Sequence, residues 1–461
     1  MAQDRIERDS LGPMPVPADA LYAAQTARAV DNFPISGWPM PAEFIAAVAR
    51  IKRAAAAVHK AAGRITPDLA EAIAQAAAEI IEGRHRGQFP VDVFQTGSGT
   101  STNMNVNEVI AARAAQLTGA AVHANDHVNM GQSSNDVIPA AIHLAAAMAI
   151  HDRLVPALRA LSEALKLKAA AFDSVLKIGR THLMDAVPMR LGQEFSGFAA
   201  QIDACLAGLQ AATAGLCEVA LGGTAVGTGL NAPAGFAAAV CKILAVEAHL
   251  PIHEAGNHFA AQSAPAAALA ASGTLRSTAL AMGRIASDIR LLASGPRCGL
   301  AELRLPALQP GSSIMPGKVN PVICESVIQV ACQVVGCDAA IAAGATGGVG
   351  SILQLNVAMP LIATNLLTAI NLLTNAAKVF AEKCIAGIEA DELRCRQSLE
   401  QSLAMVTALV PRIGYDAAAA IAKEASASGK TIRQVCLEKK VLSAADVDKL
   451  LDPSSQAGSR L

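Results

Sequence analysis

The sequence predicts an all-α protein organised around a central bundle of five long helices. Three observations predict it. Five long segments, at about 136–170, 192–221, 262–294, 320–343 and 359–387, run with few or no strong helix breakers. Apolar residues outside them recur at helical spacing. The chain is 52% hydrophobic but only 3% aromatic, so its apolar mass is Ala, Leu, Val and Ile rather than rings.

The N-terminal part shows the spacing most simply. In 41–63, Phe44, Ile45, Val48, Ile51, Ala55 and Val58 form one stripe, with Arg50, Arg53 and Lys60 off it. Thr66 followed by Pro67 reads as an N-cap with proline at the first helical position, and Gly83 ends that helix. In the middle, a helix of 30 residues would be roughly 45 Å long. Leu361, Ile362, Leu366, Leu367, Ile370, Leu372 and Leu373 fit no single stripe, so that helix must be buried on most sides. One five-helix bundle cannot bury every such face, so bundles are expected to pack on bundles in an oligomer. The end of the chain returns to short charged helices such as 443–451. The expected division is an N-terminal mainly helical domain over 1–138, a long-helix domain over 139–391 and a small C-terminal helical domain over 392–461.

Charge excludes one large class of function. The 461 residues hold 37 Lys+Arg against 38 Asp+Glu, a net charge of -1, so no basic excess exists to neutralise nucleic-acid phosphates. Charged residues make up 16%, against about 25% in ordinary domains. Residues 1–13 hold no apolar signal core. The uncharged stretch 339–377 is interrupted by Gly344, Gly347, Gly348, Gly350, Gln354, Asn356, Asn365 and Asn371, so it reads as buried helix rather than a membrane span. Ten cysteines are scattered without CxxC or zinc-type spacing, which predicts reduced, mostly buried thiols and no metal site. A cytoplasmic protein without membrane or nucleic-acid partners is expected.

Between the helices lie five loops of small hydroxyls, amides and glycines, at 95–107, 123–135, 179–188, 222–233 and 311–321. In the last, two serines follow Gly311, and a lone Lys318 and Asn320 precede Pro321. Backbone N–H groups, a cation and an amide together suit a carboxylate, or one that gains charge during reaction. The spacing is not that of a P-loop. Several polar loops are costly to bury in so apolar a chain unless something satisfies them, and a small polyanion would.

The stretch 311–321 resembles the GSSxMPxKxN signature of the fumarase/aspartase superfamily. The segments 96–107, 132–136, 179–196 (GRTHLMDAVPMRLGQEFS) and 222–231 (GGTAVGTGLN) resemble its other blocks in order, so the likeness covers nearly the whole chain. Its nearest branch is class II fumarase, which is iron-free and uses no cofactor. The resemblance implies a homotetramer with a twenty-helix core and active sites built from three subunits. It implies reversible anti addition of water to fumarate, giving L-malate through an aci-carboxylate carbanion.

By the same resemblance, Ser312 is the base that removes the weakly acidic proton beside a carboxylate. Lys318 and Asn320 hold the carboxylate that gains charge. His182 orients or activates water, with Glu325 as its carboxylate partner. Ser98, Thr100, Ser133, Ser134, Asn135 and Thr181 match the substrate-carboxylate contacts. His123, Asn125 and Asp126 match a second, peripheral dicarboxylate site, although Ala124 and His127 depart from the usual residues there. Ala260 stands where fumarases carry Glu, and Gln354 is a form found in some aspartases. An aspartase, or another C4-dicarboxylate lyase, is the alternative. The 95–100 and 132–135 segments favour the fumarase form. A catalytically silent structural relative would be expected to lack reacting residues, and all five are present.

Overall fold

The computed structural model describes residues 4–458. It opens with an antiparallel hairpin, β1 (Asp4–Asp9) and β2 (Gly12–Pro17), in register from Asp4↔Pro17 to Asp9↔Gly12. Four helices follow: α1 (Ala24–Asn32), α2 (Ala42–Ala61), α3 (Pro67–Ile81) and α4 (Thr100–Thr118). Then come α5 (Ser134–Ala149), α6 (Val155–Ala171), the hairpin β3 (Leu176–Thr181) and β4 (Met184–Arg190), and α7 (Leu191–Leu216). The chain continues through α8 (Phe236–Ala248), α9 (His258–Ser263), α10 (Ala266–Leu292), α11 (Val322–Ala345) and α12 (Met359–Lys383). After α13 (Glu392–Gln401) it ends in short helices up to Pro453–Gln456. The fold is therefore mostly helical, with two-stranded ribbons between helices.

Local chemistry explains the boundaries. Thr66 Oγ1 accepts from the Leu69 N–H at the head of α3, with Pro67 at its first position, as the sequence predicts. The first long segment is a single helical run, 134–171, but a π-turn at Ile150–Leu154 interrupts it. Pro156 lies just beyond and has no N–H to continue the α-ladder. The third segment starts later than expected, because Pro265 separates α9 from α10. The second ends at Leu216, because the chain turns to pair Glu218–Val219 in parallel with His253–Glu254.

Three of the expected loops are partly regular, that at 123–135 through a π-turn at Ala124–Val128 and the start of α5 at Ser134. Residues from Thr100 onward belong to α4, since Gly99 takes a left-handed φ of 71° and starts the helix there. Residues 179–188 belong to the β3–β4 hairpin.

The described residues fall into two compact units. The first holds the chain up to Pro156 with Ala207–Ala279 and Cys332–Thr374; the second holds Ala157–Leu206, Leu280–Ala331 and Asn375 onward. The division falls inside each of the five long helical runs. In the first unit, α2 and α3 bury Phe44, Val48, Ile51, Ile73 and Ala76. In the second, Ile178 of β3 packs against Leu399, Leu409, Ile421, Val435 and Val447, so the C-terminal helices seat the base of the β3–β4 hairpin.

Two helical runs, 134–171 and 322–345, are long and apolar enough by length and composition to cross a membrane. In their most apolar stretches, 72% of the first and 39% of the second is buried within the chain. Helix α11 buries the stripe Cys324, Val327, Ala331, Val334, Cys337 and Ile341 with Asp338 and Gly344, whereas α12 buries Ile362, Leu366, Leu367, Ile370 and Leu373. The all-round burial expected of the long helices thus holds within the chain for α12 but not for α11.

Candidate active site

The expected site residues are divided between the two units. In the first, three hydroxyls form a chain. Ser98 Oγ lies 2.8 Å from Thr100 Oγ1, which lies 2.7 Å from Ser134 Oγ. Ser134 Oγ donates at 3.4 Å to Asn135 Oδ1, and Asn135 Nδ2 donates at 2.8 Å to the Ala225 carbonyl. The approach beneath this chain is close. A Cβ on Gly97 would lie 1.9 Å from the Val357 carbonyl oxygen, so only glycine fits.

Ser133 caps α5. Its Oγ accepts from the Asn135 N–H, and its own N–H donates at 2.9 Å to Asp136 Oδ1. The other oxygen of Asp136 accepts from the N–H groups of Gly222 and Thr224 at 2.9 and 3.0 Å. One buried carboxylate therefore ties the 132–135 turn to the 222–224 turn. Burial pushes the Asp136 carboxyl up, with the three N–H groups opposing. Nearby Lys52 is 0% exposed and donates to Asn129 Oδ1 at 2.8 Å and Gln132 Oε1 at 3.1 Å. Burial brings its ammonium down to about 7, with Asp136 opposing.

The second unit carries the reacting groups of the sequence reading. Ser312 Oγ accepts from the N–H groups of Ile314 and Met315 at 3.2 and 3.0 Å. Two backbone donors on one hydroxyl oxygen favour its alkoxide. The loop is closed at its base: the Gly311 N–H donates at 2.7 Å to the Lys318 carbonyl, and Asn320 Nδ2 donates at 2.7 Å to the Gly311 carbonyl. A Cβ at Gly311 would lie 2.6 Å from the Lys318 carbonyl oxygen, so this closure requires glycine. Beyond it, residues 313–319 are exposed, and among the described residues no hydrogen bond or ion pair holds the Lys318 ammonium. Glu325 is half-buried on the first turn of α11.

His182 occupies the tip of the β3–β4 hairpin with Leu183, both left-handed at φ 56° and 62°. Thr181 and His182 are exposed. Among the described residues no hydrogen bond or ion pair joins His182 to Glu325, so one chain does not make the expected pair. Beneath the tip, Arg180 Nη2 donates at 2.7 Å to Glu302 Oε1, and Lys177 Nζ donates at 2.8 Å to Glu194 Oε2.

In the peripheral set, the Asp126 N–H donates at 3.1 Å to His123 Nδ1, and the His123 N–H donates at 2.9 Å to His127 Nδ1. Asn125 and Asp126 line a cavity of about 480 Å³ with Asn129, Gln132, Ser133 and Thr224. A larger cavity of about 800 Å³, beside Met40, Glu43, Arg50 and Arg153, touches none of the expected site residues. Of the departures outside that set, Ala260 supplies the N–H that Asn257 caps at the start of α9. Gln354 is exposed in the turn between Ser351–Ile352 and Leu355–Asn356.

The sequence reading did not single out Lys52, Lys177 or Glu302, and gave Asp136 no role. Lys52 had a readable signal, since it follows Val48 by four residues and precedes Ala55 by three, on the apolar stripe of α2.

The family profile described as Lyase matches residues 12–336, and that described as Fumarase C C-terminus matches residues 405–455. A class II fumarate hydratase from Thermosynechococcus vestitus is 51% identical over 451 residues, covering 96% of both chains. Another, from Mycobacterium tuberculosis, is 51% identical over 461 residues, covering 99% of this chain and 96% of its own. The solved structure of class II fumarase from Schistosoma mansoni superposes with a TM-score of 0.95 at 40% identity, covering 99% of each chain.

Proposed function

The chain belongs to the class II fumarase family, and we propose that it hydrates fumarate reversibly to L-malate with Ser312 as the base. The activity rests on one observation above all: identity of 51% with named fumarate hydratases over nearly the whole length. In the malate-to-fumarate direction, Ser312 Oγ takes the proton from the carbon beside one carboxylate. The electron pair left behind spreads into that carboxylate, which gains charge against Lys318 and Asn320. The hydroxyl on the neighbouring carbon departs from the opposite face, takes a proton delivered through His182, and leaves as water. Ser98, Thr100, Ser133, Ser134, Asn135 and Thr181 hold the dicarboxylate. The Ile314 and Met315 N–H groups on Ser312 Oγ support its role, because they lower the cost of the alkoxide.

The finer assembly is also a proposal. A homotetramer in which three subunits build each site gives the unpartnered face of α11 somewhere to pack. It lets His182 of one chain meet Glu325 of another. Leu269, Leu280, Leu291 and Val335 on α10 and α11 are exposed in the single chain, which supports helix packing between subunits. The division at 139 and 391, with the long helices between, describes that core. His123, Asn125 and Asp126 are proposed to take a second dicarboxylate. The free cysteines, most of them buried, suit a reducing cytoplasm.

Ala260 and Gln354 favour examining ammonia addition beside hydration. Absorbance at the fumarate band is followed with L-malate and then with L-aspartate. Fumarate formed from malate, with none from aspartate, is the expected result. Fumarate and ammonia released from aspartate alone would overturn the hydratase reading in favour of an aspartase.

A further inference from the structure

We propose that Glu302 is a positioning residue for this reaction: through Arg180 and Lys177 it fixes the β3–β4 hairpin, and with it His182. The inference rests on the role given to His182 above. Glu302 is 0% exposed, so its side chain reaches no substrate. Its Oε1 accepts from Arg180 Nη2 at 2.7 Å, and its Oε2 lies 3.2 Å from Lys177 Nζ. Glu194 accepts from the same ammonium at 2.8 Å. Two cations and two carboxylates thus balance in the interior. Burial opposes the Arg180 charge, yet Glu302 holds its guanidinium above the ordinary value.

The carboxylate is itself anchored. The Glu302 N–H donates at 2.9 Å to the Leu292 carbonyl at the end of α10, and the Glu302 carbonyl accepts at 2.9 Å from the Asp391 N–H at the head of α13. Both cations belong to β3, and Arg180 stands two residues before His182. The register shifts between Ile178 and Arg180, where Ala186 and Val187 of β4 stand opposite Gly179. Two successive non-glycine residues at positive φ persist only where their surroundings over-determine them. At the tip the Thr181↔Met184 pair closes the turn, while Leu183 is 76% exposed. The rest of the support lies at the root, in the ion pairs to Glu302. A displacement of about 1 Å in a reacting group can cost on the order of 10² in rate.

The test compares steady-state kinetics with L-malate for Glu302→Gln, His182→Asn and the double variant, each confirmed folded by circular dichroism. Glu302→Gln should lower kcat on the order of 10²-fold, through misplacement of His182, and leave KM within about threefold. In the His182→Asn background the same change should cost less than about threefold, because residues acting through one another are not additive. Normal kcat in Glu302→Gln, or a full multiplicative loss in the double variant, would overturn the proposal. A His182→Asn variant with normal kcat would instead remove the role of His182, and this inference with it. Glu302→Asp keeps the charge and shortens the reach; if Glu302→Gln does not fold, it carries the same comparison with a loss of about tenfold.

Discussion

Ser98, Thr100 and Ser134 form a hydroxyl chain supported from the interior. Asp136 clamps the turn beside it with three backbone hydrogen bonds, and Lys52 holds Asn129 and Gln132 from below. The loop at 311–320 is pinned at its base, by Gly311 with Lys318 and Asn320, and residues 313–319 are exposed. The difference follows from the two tasks. Groups that fix a dicarboxylate gain from rigidity, because donors already in place need no reorganisation when the ligand arrives. A base that must reach a carbon-bound proton, and then let product leave, gains from an accessible loop.

Substitutions can break or sharpen this contrast. The largest effect is expected at the exposed end. Ser312→Ala should lower kcat for malate dehydration by about 10²–10⁴-fold, the span of a general base. Stability should change by less than about 0.5 kcal/mol, since the loop is at the surface. Near-normal turnover would exclude Ser312 as the base. At the buried end the balance should reverse. Asp136→Asn replaces a buried carboxyl that accepts from three N–H groups. It should cost about 2–3 kcal/mol in urea unfolding, and raise KM more than it lowers kcat. If stability is unchanged, Asp136 is not the clamp described.

A smaller effect is expected from Lys52→Met, and it depends on pH. In the unfolded chain Lys52 keeps its proton up to its ordinary value of 10.5; in the folded chain it releases it near 7. Between those values the unfolded state binds more protons, so this group makes stability rise with pH across that window. The methionine variant should lack that rise when urea midpoints are compared at pH 7 and pH 9. An identical slope in both proteins would show that Lys52 keeps its charge when buried.

Much of this was legible in the sequence. Runs without breakers gave the five long helical runs, and polar loops in an apolar chain marked the site. The hairpin at 179–188 read as a loop, because His182 and Leu183 carry no Asn-Gly signature for their positive φ. Glu302 was invisible for a different reason. Its partner Arg180 is 122 positions away, and locally it is one carboxylate between Ala301 and Leu303. The pairing of His182 with Glu325 came from family resemblance, and the single chain leaves it unmade.

The contrast between a rigid binding shelf and an accessible reacting loop is tested most directly by amide hydrogen exchange, with and without fumarate. Peptides covering 311–320 should exchange fast in the free protein and slow markedly with fumarate. Peptides covering 98–107 and 132–137 should be protected in both states. A loop already protected without ligand, or a shelf that exchanges as fast as the loop, would contradict it.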